Sequence, residues 1–328
     1  MLTRRGLLAA ASVLAAHRLV DHPAMAQGTP APAQTKIALV KDRERGLAIP
    51  AAIALLGVDS LRGKRVLIKP NFNTADPFPA STHPDTLVTL IEQLRRMGAA
   101  EIAIGERCGP PLTANVLNEK GIPELCHRLS VGLIDFEELP PNRWVRVRPP
   151  GSHWRDGFDV AKPVLAADAV VSTCCLKTHG FGGVFTLSLK LAVGLTHKRF
   201  MRELHSSADM RKMIAEINQA FSPALIVLDG TDAFTDGGPS YGTLKHAGVI
   251  LAGTDRVAID AVGLAVLKDL GSNAAIMDTP IFRQEQIARA VELGLGVGTP
   301  QAIELVTDDL VSRRYGQRLT DLLARDTA

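Results

Sequence analysis

The sequence predicts an α/β protein, a doubly wound, mostly parallel sheet with a small irregular β-containing insertion. Three observations predict it. Five short apolar runs each stop on a cluster of polar, charged or glycine residues, as strands buried on both faces of a parallel sheet do. Helical patterns lie between the runs, which completes a βαβ alternation with right-handed crossovers. One stretch, residues 138–163, breaks the alternation and reads as the insertion. Open sheets of this kind bind ligands outside the carboxyl ends of their strands, so a site is expected at the run ends.

The chain opens with an address rather than with the fold. Thr3-Arg4-Arg5-Gly6-Leu7-Leu8 is a twin-arginine pattern, followed by an Ala/Leu/Val stretch and the small-x-small site Ala24-Met25-Ala26. Residues 1–26 therefore read as a twin-arginine-type signal peptide, 27–34 as a linker and 35–328 as a single α/β domain. The apolar stretch is too short to span a bilayer, and Arg18 and Asp21 lie just beyond it. A periplasmic or otherwise exported protein is expected, handled by the twin-arginine export machinery, with no stable membrane span after cleavage. Cleavage removes three arginines and one aspartate, which takes the formal net charge from +3 to about +1. A nearly neutral chain with two Trp, two Tyr and no basic-aromatic stripe argues against nucleic acid as a partner.

Lys36 to Val40 reads as the first strand. Val66-Leu67-Ile68 runs into Lys69-Pro70-Asn71, and after a polar loop Pro84 opens a helix through Leu87, Leu90, Ile91 and Leu94 that stops at Gly98. Ile102-Ala103-Ile104 then runs into Gly105-Glu106-Arg107. Residues 138–163 hold five prolines, both tryptophans and the alternating segment Trp144-Val145-Arg146-Val147-Arg148, which reads as an edge hairpin or small cap. Ala169-Val170-Val171 continues through Cys174-Cys175-Leu176 into Lys177-Thr178-His179-Gly180. Ile214 and Ile217 mark the helix before Leu225-Ile226-Val227-Leu228, which runs into Asp229-Gly230-Thr231-Asp232. Val249-Ile250-Leu251 runs into Gly253-Thr254-Asp255, with a helix from Val257 through Leu270 behind it.

The four cysteines do not read as a disulfide framework. Cys174 and Cys175 are neighbours in a strand, so their side chains point to opposite faces of the sheet. Cys108 and Cys126 lie in a loop and a helix, where pairing is left open. No CxxC spacing exists, so no iron–sulfur cluster or cysteine-ligated zinc is expected; the cofactor is otherwise unknown.

The densest chemistry sits at 177–190. Gly180, Gly182 and Gly183 permit close backbone approach, and the apolar segment after them can start a helix whose free N–H groups would face an anion. Lys177 and His179 precede this loop and Lys190 follows it. The spacing matches neither a P-loop nor a dinucleotide fingerprint.

Leu176-Lys177-Thr178-His179, with Thr186, Lys190 and Gly194, resembles the central signature of the family called domain of unknown function 362. Lys69-Pro70-Asn71, Asp229-Gly230 with Gly237-Gly238-Pro239 and Gly242, and Gly253-Thr254-Asp255-Arg256-Val257-Ala258-Ile259-Asp260-Ala261 extend the resemblance over roughly residues 64 to 270. Cys175 stands where relatives carry proline, and Leu191 where they carry asparagine. The appended ferredoxin-like module of some relatives has no counterpart here.

The run ends then supply candidates. Lys177, His179, Asp229 and Lys69 are expected to be catalytic, with His179 or His205 titrating near neutrality. Asn71, Thr178, Gly180, Gly182, Gly183, Lys190 and Glu106 are expected to bind substrate. Asp232 and Asp255 are further carboxylates, although Asp255 and Asp260 also read as helix anchors. Such a set suits a small anionic, carboxylated or phosphorylated molecule whose proton is moved while lysines hold its charge. Acid–base or cofactor-assisted chemistry is favoured over the alternative, a non-catalytic periplasmic protein that binds a small anion or a metal through His179, His83, Glu106 and Asp229. No metal ligands are assigned.

Overall fold

The structure, a computed structural model, describes residues 34–58 and 60–326. The address at residues 1–26 and all of the linker but its last residue lie outside the described residues.

Among the described residues, eleven strands and twelve α-helices follow in order. The first half contains β1 (Thr35–Val40), α1 (Arg45–Leu56), β2 (Arg65–Lys69), α2 (Pro84–Arg96), β3 (Glu101–Glu106), α3 (Thr113–Glu119), α4 (Ile122–Arg128), β4 (Gly132–Asp135), β5 (Trp144–Val147), β6 (Phe158–Ala161) and α5 (Lys162–Ala166). The second contains β7 (Ala169–His179), β8 (Val184–Thr186), α6 (Ser188–Leu191), α7 (Met201–Ser206), α8 (Met210–Ile217), β9 (Pro223–Gly237) and β10 (Gly242–Gly253). It closes with α9 (Arg256–Leu270), α10 (Ala274–Met277), α11 (Glu285–Glu292), β11 (Ile303–Val306) and α12 (Leu310–Arg325).

The main sheet runs β11-β1-β10-β9-β7-β2-β3-β4, with β8 added beyond the end of β2 against β7. It is mixed and mostly parallel, as the buried apolar runs predict. Helices α1 and α2 pack on one face around Ile49, Leu87, Leu90 and Ile68. On the other face, α9 packs against Leu176, Ile226 and Leu228. Both faces are covered, which is why the strands read as continuous hydrophobic runs. Local signals hold where they were strongest. His83 and Pro84 start α2, the His83 side chain accepting from Asp85 N, and Gly98 takes φ +90 just past its end.

Within the eight-strand path β10 alone runs against its neighbours. Only four residues separate β9 from β10, too few for a crossover, so the chain must return antiparallel. Gly237 (φ +74) and Gly238 (φ +72) make the turn. This reversal corrects two expectations drawn from the run ends. Asp229 does not end its strand, because pairing with β10 carries β9 on to Gly237. Asp255 follows a strand of opposite sense and so lies at the other edge of the sheet from Lys69 and Lys177. There it caps α9, accepting from Val257 N, Ala258 N and Val297 N at 2.8–2.9 Å.

Within 138–163, β5 and β6 pair antiparallel as a separate two-stranded sheet. All four cysteines are buried and free, so Cys108 and Cys126 are not paired.

Candidate functional site

Strand β7 outruns its parallel neighbour. The last paired residue of β2 is Lys69, opposite Ser172, and β7 continues for seven residues to His179. In the notch beside this overhang, over the carboxyl ends of β2 and β3, lies a cavity of about 430 Å³. Lys69, Asn71, Glu106, Lys177, His179 and Lys190 all line it. Six of the expected site residues therefore meet, although up to 121 positions separate them in the chain.

Lys69 and Glu106 form its floor. They are 2% and 1% exposed and meet at 2.5 Å, and Glu106 also accepts from Phe72 N and Arg107 N at 2.9 and 2.8 Å. Burial pushes the Glu106 carboxyl up and the Lys69 ammonium down, while each partner resists the other's shift. Gly194 makes room for this pair. A Cβ there would come within 2.8 Å of Lys69 Nζ and 2.9 Å of Glu106 Oε1.

Lys177 and Lys190 have no such counter-ion. Lys177 is fully buried and donates to the Ala80 carbonyl; Lys190 makes no ion pair or hydrogen bond among the described residues. Burial pushes both amines down to about 8, Lys190 being further opposed by the charges of Lys177 and Arg107. His179 and Lys190 both lie close under Gly183. Burial first, then Lys190 and Lys177, push the His179 imidazole down to about 2, so it is neutral at physiological pH. The expected titration of His179 near neutrality is therefore corrected: burial, and after it two ammonium neighbours without counter-ions, oppose its proton.

Three buried polar atoms of residues in the lining have no hydrogen-bond partner among the described residues: Asn71 Oδ1, His179 Nδ1 and Thr186 Oγ1. Buried polar groups are ordinarily paired, so three orphans on residues that line one cavity mark a place for a polar ligand.

The glycine loop is built differently from expectation. Instead of running into a helix it closes a hairpin, with Lys177 opposite Thr186 and His179 opposite Val184. Gly182 takes φ +78, and Val184 takes φ +65, a strained conformation for a β-branched residue. Gly183 leaves room for the lysine. A Cβ there would lie 2.8 Å from Lys190 Cε and 2.9 Å from His179 Nδ1, so both atoms crowd the same point under the turn. Gly180 donates to the Gly238 carbonyl at 3.1 Å, and Thr178 Oγ1 reaches the Phe234 and Gly237 carbonyls. Thr178, Gly180 and Gly182 thus fix the turn without lining the cavity.

Asp229 stays apart. Its carboxylate accepts from Arg45 Nε at 2.7 Å, Thr86 Oγ1 at 2.5 Å and Thr231 N at 3.1 Å, a closed set next to α1 and α2. Asp260, in contrast, serves the site from a distance. Buried in α9, it accepts from Ser188 N at 2.7 Å and Leu189 N at 3.0 Å, holding the first turn of α6 and with it Lys190.

Arg107, Lys198 and Arg202 also line the cavity. Arg107 is engaged with the Thr196, Cys108 and Val193 carbonyls, and Lys198 with Glu137. Lys198 and Arg202 lie in a helical stretch far from any strand end, where no local pattern marks them. Among the described residues, no group of three or more His, Cys, Asp or Glu is placed to hold a metal ion.

A family described as domain of unknown function (DUF362) matches residues 66–265. The chain belongs to this family. The match to DUF362 takes in Lys69, Glu106, Lys177, His179 and Lys190, together with Asp229 and Asp260. Among solved structures, this DUF362 chain is similar to the lactate racemase apoprotein from Thermoanaerobacterium thermosaccharolyticum. The two are 12% identical, with a TM-score of 0.43 over 88% of this chain and 86% of that one. No curated protein sequence matches. No helix among the described residues is long and apolar enough to cross a membrane.

Proposed function

We propose that this DUF362 protein is an exported enzyme that binds a small carboxylated or phosphorylated molecule over Lys177 and Lys190 and moves a proton on it. One observation carries the reading. Six cationic side chains line the cavity; Lys69 is paired with Glu106 and Lys198 with Glu137, and among the described residues Arg107, Lys177, Lys190 and Arg202 have no carboxylate partner. An enclosed excess of positive charge is costly until an anion neutralises it, so the cavity favours an anionic occupant.

Binding would also change the acid–base state. Burial first, and then repulsion between cations, keep the amines and His179 short of protons; a bound anion offsets this, so their proton affinities rise. His179, the neutral base of the set, can then accept a proton from the substrate while Lys177 and Lys190 hold the charge. Asn71, Thr186 and His179 supply the neutral contacts that orient it.

The test has two stages. Calorimetry with oxalate, phosphoglycolate and inorganic phosphate should show binding that Lys190→Met and Lys177→Met abolish. Phosphoglycolate, which unlike oxalate carries carbon-bound hydrogen, is then incubated with the protein in deuterium oxide and followed by proton NMR for loss of that hydrogen. Binding without exchange or any product favours the non-catalytic anion binder; absence of binding by all three anions removes both readings.

A further inference from the structure

The two unpaired lysines do not stand in equivalent positions. Lys177 is wholly buried and its ammonium already has an acceptor in the Ala80 carbonyl. Lys190 is half-buried, has no acceptor, and projects from a helix start clamped by Asp260. Its Cε and the unpaired Nδ1 of neutral His179 crowd the same point below Gly183. An amine next to a fixed cation, in a cavity that admits anions, with an unpaired imidazole nitrogen beside it, is the arrangement of a nucleophile rather than of a simple charge clamp.

We propose that Lys190 is a nucleophilic amine that condenses with the carbonyl carbon of a small anionic aldehyde or ketone to form an iminium. This rests on the anion-binding reading above and names the substrate class for it: a carboxylate or phosphate that also carries a carbonyl.

The step balances within the site. The Nζ lone pair of Lys190 bonds to the carbonyl carbon as the carbonyl π bond breaks onto oxygen. That oxygen takes a proton from the Lys177 ammonium, and His179 Nδ1 takes one from the newly bonded nitrogen. The carbinolamine then loses its oxygen as water, with the proton on His179 completing the leaving group, and the carbon–nitrogen double bond forms carrying one positive charge. The net change is amine plus carbonyl plus one proton to iminium plus water. No oxidant or reductant enters.

The hydrogen bonding of the two amines supports this division. The Lys177 ammonium is held by the Ala80 carbonyl, whereas the Lys190 amine has no partner among the described residues and is free to reach a substrate carbon. Lys177 is then the cation that draws in the anion and protonates the oxygen.

Glyoxylate with sodium cyanoborohydride at pH 7.5 tests the proposal on the mature chain. One carboxymethyl group per chain is expected, located by peptide mapping on Lys190. It should form at least about tenfold faster than on exposed lysines, because a lowered proton affinity frees more of the amine. Oxalate, an anion without a reactive carbonyl, should suppress it. Lys190→Arg should bind oxalate yet give no adduct, and Lys177→Met should slow the adduct while the circular dichroism spectrum is unchanged.

Protection of Lys190 from trinitrobenzenesulfonate by oxalate is measured in parallel. Protection without a glyoxylate adduct on Lys190 overturns the covalent step and leaves the anion site standing. Neither protection nor adduct overturns both. An adduct that maps to Lys177, or spreads over surface lysines at equal rates, overturns the assignment to Lys190.

Discussion

Replacing Lys177 by methionine is expected to stabilise the fold while removing the deepest charge of the cavity. Lys177 is fully buried and has no counter-ion, and burial lowers its amine from 10.5 to about 8. Between those values the unfolded chain holds a proton that the native protein does not. The native state therefore carries the full penalty below pH 8 and loses it as the pH rises toward 10.5. At about 1.4 kcal/mol for each tenfold change in proton affinity, the penalty at pH 7 is about 3 kcal/mol.

Methionine keeps most of the buried chain volume, but it leaves the Ala80 carbonyl without its donor, a loss of about 1–2 kcal/mol. The net gain at pH 7 is then about 1–2 kcal/mol. With a urea m-value of about 3 kcal/mol/M, the unfolding midpoint should rise by about 0.5 M. The assay is urea unfolding by circular dichroism at pH 7 and pH 10.5. The gain should be present at the first and absent at the second, where only the lost hydrogen bond remains. A variant less stable than wild type at pH 7, or one whose advantage does not depend on pH, refutes the reasoning. A stabilising substitution that also abolishes oxalate binding is the trade-off expected of a site held under electrostatic strain.

Lys69→Met leaves Glu106 buried and unpaired, and urea unfolding should show a loss of about 3–5 kcal/mol, most of it recovered by adding Glu106→Gln. Asp229→Asn should cost about 2–3 kcal/mol through Arg45 and Thr86, yet calorimetry with oxalate should give an affinity within about twofold of wild type, because Asp229 lies outside the cavity. Oxalate affinity should be steady below about pH 8 and fall above it, by up to roughly tenfold per pH unit for each of Lys177 and Lys190 that loses its proton; an affinity flat to pH 10 contradicts the lysine clamp.

The sequence by itself determined the α/β class, because strands covered on both faces must be apolar throughout and the helices between them must repeat at helical spacing. It also located most of the cavity's floor and wall. Lys69, Glu106, Lys177 and His179 all sit where an apolar run ends, and run ends are local features of the chain. Strand direction is not local. Only the short β9–β10 turn, which reverses β10, decided that Asp255 belongs to the opposite edge and that β9 runs on through Asp229. Pairing over long separations was equally invisible: Arg45 reaches Asp229 across 184 residues, and Asp260 holds the start of α6 across 72.

Tertiary structure also decided the charge states. A lysine or histidine titrates according to what surrounds it, and the water excluded around Lys177, Lys190 and His179 is set by elements from across the chain. Residue type and spacing showed where chemistry could gather; burial in three dimensions made two lysines reluctant cations and left His179 without a proton.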